Sequence, residues 1–91
     1  MKHLITILLL LITTNTFAEY QLFNKANELY AQAKYDNAII LYDSILKKGL
    51  ESSELYNNLG NCYFKKQEWP NAIWHFEKSL KYKYTEKTAQ N

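Results

Sequence analysis

Set against itself at an offset of 34 residues, the chain agrees in residue type at Asn27 and Asn61, Tyr30 and Phe64, Tyr35 and Trp69, and Asn37 and Asn71. The agreement continues through Ala38 and Ala72, Ile39 and Ile73, Tyr42 and Phe76, and Leu46 and Leu80. No other feature constrains the fold as strongly. A unit of this length cannot bury its own apolar face and must stack against a neighbouring unit.

Each copy reads as a helical hairpin. In the second, Leu55, Tyr56, Leu59, Tyr63 and Lys66 recur at steps of three and four, and Ala72, Ile73, Phe76 and Leu80 repeat that pattern further on. Ala26 or Gly60 on the first helix of each pair, and Ala38 or Ala72 on the second, are small enough to let the two axes approach closely. Lys47, Lys48 and Gly49, followed by apolar Leu50, suit a helix C-terminus. Ser52 or Ser53 can cap the next helix, with Glu54 in its first turn, and Pro70 falls where the last helix should begin. The expectation is an all-α chain of four helices.

Tyr56, Leu59, Gly60 and Tyr63, with Ala72 and Phe76 after them, reproduce the spacing W-x2-L-G-x2-Y and then A-x3-F, tyrosine standing in for tryptophan. In the first copy Leu22, Lys25, Ala26 and Leu29 hold those helix positions, while Ala38 and Tyr42 are kept. On these residues the chain resembles the tetratricopeptide repeat (TPR) family. More narrowly, an export signal followed by "LFNKANELY", "ELYNNLGNCYFKK" and "EKTAQN" resembles the exported repeat proteins of bacterial aerotolerance operons. The resemblance implies two tandem helix-turn-helix hairpins of an α-solenoid, residues 19–52 and 53–86, with residues 87–91 opening a third repeat. It also implies that membrane association would come only through further downstream segments, which in such proteins include membrane spans and an SH3-like domain. Because three or more repeats are generally needed, the fold is expected to be marginal, completed by a partner, by self-association or by further repeats.

Lys2, the apolar run Leu4 to Ile12 and the stretch ending in Thr16, Phe17 and Ala18 have the order of a secretory signal peptide, residues 1–18. The run is well short of the roughly 20 residues that span a bilayer, which argues against its retention as an anchor. The expected location is therefore outside the cytoplasm, periplasmic or associated with the cell envelope. Cys62 is the only cysteine, so no intramolecular disulfide is available. The basic residues are all lysines interspersed with acids, at a net charge of +2, and no arginine is present to fork onto phosphate; a nucleic-acid partner is not expected. Lysines of "KSLKYKYTEK" read as the last turn of a helix, set against its dipole.

With Tyr56, Leu59 and Tyr63 turned inward, the opposite stripe holds Glu54, Asn57, Asn58, Asn61, Phe64 and Lys65. Its counterpart in the first copy holds Tyr20, Phe23, Asn24, Asn27, Tyr30 and Ala31. Asparagine is a poor helix former, so its concentration here needs a reason. Amides both donate and accept hydrogen bonds and suit a peptide backbone, and aromatic rings add apolar area at low entropic cost. The candidate peptide groove is accordingly Phe23, Asn24, Asn27, Tyr30, Glu54, Asn57, Asn58, Asn61, Phe64 and Lys65, on the concave face. The competing reading makes asparagine a polar filler, with Asn58 or Asn61 bonded to the neighbouring repeat. The carboxylate clamp of some TPR proteins is not expected. Asn27 and Asn58 match its asparagines, as the resemblance implies, but Phe23 stands where its first lysine should be and Thr88 replaces a basic residue.

No enzyme is expected. His75 has no serine, cysteine or acid at a triad spacing, Cys62 reads as a small packed residue, and Glu28, Asp36, Asp43, Glu68 and Glu77 are scattered among lysines. With only His3 and His75 available, neither a metal nor a cofactor is expected. The chain reads as an exported protein-interaction module or assembly scaffold that binds a peptide or partner protein. The alternative is a non-binding spacer, or a truncated remnant, of a longer membrane-associated repeat protein.

Overall fold

The apolar stripes of each copy lie on separate helices. The computed structural model describes the backbone of residues 2–90 and the side chains of residues 17–88, so the expected leader lies almost wholly outside the described side chains. The helices are α1, Lys2–Ala31; α2, Tyr35–Lys47; α3, Ser53–Lys65; and α4, Trp69–Gln90. The chain is all-helical, with no strand among the described residues.

Helices α1 and α3 end in the same way. Ala33 and Gln67 both adopt a left-handed backbone, at φ 61° and 62°. Behind them, Ala33 N–H donates to Tyr30 O and Lys34 N–H to Leu29 O, both at 2.9 Å; Gln67 N–H to Phe64 O and Glu68 N–H to Tyr63 O repeat the pattern, again at 2.9 Å. An edge-on aromatic pair closes each turn, Tyr30 with Tyr35 at 5.5 Å and Phe64 with Trp69 at 5.2 Å. The period is thus a repeat of backbone geometry as well as of residue type. Holding a side chain in this conformation costs about 1 kcal/mol relative to glycine. Gln67→Gly is therefore expected to raise stability by about 0.5–1 kcal/mol, seen as a rise of a few degrees in thermal midpoint.

The link between the hairpins uses the residue types that the local chemistry demands. Gly49 takes φ 81° and its N–H donates to Leu46 O at 2.9 Å. Ser52 is the cap of α3, its Oγ accepting from Leu55 N–H at 3.1 Å. Ser53 turns instead to α4, donating through its backbone N–H and its hydroxyl to the two carboxylate oxygens of Glu86. Glu51 accepts from Tyr56, at 2.6 Å, and from Tyr82, which fastens the link to the second hairpin.

Helix α4 departs from the expected division. The repeat register puts Lys83 where Gly49 stands, and no glycine or proline follows Pro70, so nothing stops the helix. The boundary expected between residues 86 and 87 falls inside α4. Lys81 and Lys83 lie in mid-helix, and it is Lys87 that occupies the last turn; the dipole rationale for the other lysines does not hold.

Helix α2 lies between α1 and α3. Ala26, Ala38, Ile39, Tyr42, Ile45, Leu55, Leu59 and Cys62 form one buried cluster across the three helices. Burying a side chain the size of Leu59 contributes about 1.5–3 kcal/mol relative to its exposure. At the second crossing, Gly60 is backed by Phe76; a Cβ there would meet two carbons of that ring at 2.6 Å. The two ends of the array differ. Leu55 and Leu59 are buried under α2, whereas their counterparts on α1, Gln21 and Lys25, are exposed. Ile39 is 8% exposed and its counterpart on α4, Ile73, 56%; half-buried Leu46 corresponds to Leu80, 67% exposed.

Candidate functional site

Tyr42 projects from α2 toward α1. Burial pushes its hydroxyl up to about 12, so it remains protonated at neutral pH and acts there as a donor. It donates to Asn27 Oδ1 at 2.5 Å, and Asn58 Nδ2 from α3 donates to the same oxygen at 3.2 Å. Two donors on one atom fix the amide orientation of Asn27. The Nδ2 of Asn27 and the Oδ1 of Asn58 then keep hydrogen-bonding capacity beyond these two bonds. Two amides from successive hairpins are thereby set side by side, one with a donor to spare and the other with an acceptor.

The remaining predicted residues divide. Phe23 turns into the core, edge-on to Tyr42 at 5.9 Å, and Tyr30 packs on Tyr35 and the core, so neither is a free groove wall. Their angular positions place them on the outward stripe, but the aromatic partners across the hairpin draw the rings in. Glu54, Asn57, Phe64 and Lys65 are exposed, and Asn24 and Asn61 half-exposed. Phe64 is 52% exposed although Trp69 braces one side of its ring. Tyr20 is exposed on α1. For Asn58 the filler reading holds in part, because its amide does bond to the neighbouring hairpin.

Tyr42 was legible only as a core residue. Its hydroxyl donates to Asn27 Oδ1, which also accepts from Asn58, and those bonds cross the repeat out of register and so leave no trace in the comparison of one copy with the other. The groups considered for chemistry are structurally occupied. His75 stacks on Tyr63 at 4.9 Å, and its Nδ1 lies 2.7 Å from Asn71 O, an acceptor, so that nitrogen carries the proton. Cys62 is fully buried, and burial pushes its thiol up to about 11. Its alkylation at neutral pH should run at least about 100-fold slower in the folded chain than in denaturant, following only the opened population; rapid labelling of the native protein would contradict this. Among the described residues no group of three histidine, cysteine or acidic side chains is placed to hold a metal ion. No helix among them is long and apolar enough to cross a membrane. Compared with known proteins, the chain matches no family model and no curated sequence.

Proposed function

We propose that the chain is an exported, TPR-type interaction module that binds an extended peptide, or an extended segment of a partner protein, along the trough between α1 and α3. It holds an assembly together and catalyses no reaction. The observation that carries this reading is the amide pair Asn27 and Asn58, fixed in orientation by Tyr42 before any ligand arrives. An extended backbone presents N–H and C=O groups in alternation, to which the spare acceptor of Asn58 and the spare donor of Asn27 are suited. Amides already ordered lose little entropy on binding. Exposed Tyr20 and Phe64 offer flanking apolar surface, and Asn24, Asn57 and Asn61 further polar contacts.

Selection of peptides from an unbiased display library on the full chain tests the proposal. Selected peptides should lose about tenfold or more in affinity on Asn58→Ala or Asn61→Ala, about 1.4 kcal/mol for each factor of ten, and be unaffected by Lys25→Ala on the far side of α1. Circular dichroism on each variant separates lost binding from lost fold. Peptides that bind all three variants as tightly as the parent would dispose of this trough as the site.

A further inference from the structure

The stripe of α3 that borders the trough begins and ends in charge. Glu54 and Lys65 lie about three turns apart on the same side of the helix, about 16 Å along its axis, and both are exposed. Between them the stripe is uncharged, formed by Asn57, Asn58 and Asn61, and so is the facing stripe of α1, formed by Tyr20, Asn24, Asn27 and Ala31. The trough is therefore polarised along its length, negative where α3 starts and positive where it ends. Each charge suits the helix dipole at its own end, so this polarity does not weaken α3.

Neither charge is engaged within the chain. Lys25 is paired with Glu28, Lys48 with Glu19, and Lys66 with Asp36 and Glu68, whereas among the described residues no partner lies within ion-pair distance of Glu54 or Lys65. Lys83 borders the same end of α3 as Glu54 without closing on it. The charge of Glu54 is felt on the floor of the trough: burial is the main cause of the raised Tyr42 hydroxyl, and the negative charge of Glu54 adds to it.

On the reading of the trough as a peptide site, we infer that its ligand is an extended segment with a lysine or arginine at the Glu54 end and an aspartate or glutamate at the Lys65 end, about five residues apart. Extended chain advances roughly 3.3 Å per residue, so about five residues cover the distance between the two charges. The residues between them are uncharged, because a charge set over the amides would exchange water for neutral partners alone. Opposite charges at the two ends also fix which way the segment lies, since reversing it brings like charges together.

Peptides selected from an unbiased display library on the full chain report this directly. The enriched sequences should share a cationic and an anionic residue about five positions apart. Glu54→Gln or Lys65→Gln should weaken their binding about two- to fivefold, as loss of an exposed ion pair does, and added salt should weaken it too. Glu54→Lys should cost about tenfold, and exchanging the cationic residue of the peptide for glutamate should recover most of that loss, with helix content checked by circular dichroism. Selected peptides that need Asn58 but carry no such charge pair, or that are indifferent to Glu54→Lys, overturn the inference and leave the trough as the site. Peptides indifferent to Asn58→Ala, or a library that yields no binder, remove the trough as a peptide site and the inference with it.

Discussion

Gly60→Leu should leave the chain largely unfolded at 37 °C. A side chain beginning 2.6 Å from Phe76 Cδ1 and Cε1 needs the ring to swing away and α4 to move off α3, separating the hairpin. Overpacking of this kind costs about 1–3 kcal/mol or more, and a chain of this size rarely has more than about 3–5 kcal/mol in total. Intrinsic helix propensity points the other way, favouring leucine over glycine by about 1 kcal/mol, so the sign of the change reports packing and not propensity. The smaller change Gly60→Ala, made alone and with Phe76→Leu, isolates the contact; the pair should show a coupling of about 1–2 kcal/mol in urea unfolding. Independent effects would mean that the ring gives way freely and that the close approach is not set by Gly60.

Asn27→Leu should destabilise the chain by about 2–4 kcal/mol, because it strands two donors, the Tyr42 hydroxyl and the Asn58 amide, in a partly buried place. Here too propensity alone predicts a gain, since leucine is the better helix former. Tyr42→Phe is the informative contrast. It removes one donor and leaves Asn27 its bond to Asn58, so it should cost about 1 kcal/mol or less. In the double variant the Asn27→Leu penalty should shrink, since one stranded donor is gone. Urea titrations of the four chains give these differences directly, and equal losses for the two single variants would show that the shared acceptor is not the point at which the hairpins are tied. Peptides selected on the trough should fail to bind Asn27→Leu under conditions where it remains folded.

The four helices were legible because the core depends on residues that recur at the repeat period, Ala26 with Gly60 and Ala38 with Ala72, and on end signals such as Ser52 and Gly49. The left-handed residues at Ala33 and Gln67 were not, since neither is a type that announces such a turn; tertiary closure by the aromatic pairs imposes it. The continuation of α4 could have been anticipated from Lys83 occupying the register position of Gly49. For the site, a helical wheel put the asparagines and Phe23 on one outer stripe and could not tell which side chains turn inward. Phe23 does so because Tyr42 offers it an edge; its counterpart Asn57 has no ring to offer and stays exposed.

A molecule whose described α1 and α4 faces differ in wettability has a restricted choice of contacts between copies. Contacts between unlike surfaces propagate into fibres when the rotation does not close, and they need each end to be adhesive toward the other. Gln21, Lys25 and Glu28 deny that adhesion on the outer face of α1, so the apolar face of α4 finds no foothold there. Crowding this protein should accordingly not stack α4 of one copy on the described face of α1 of the next.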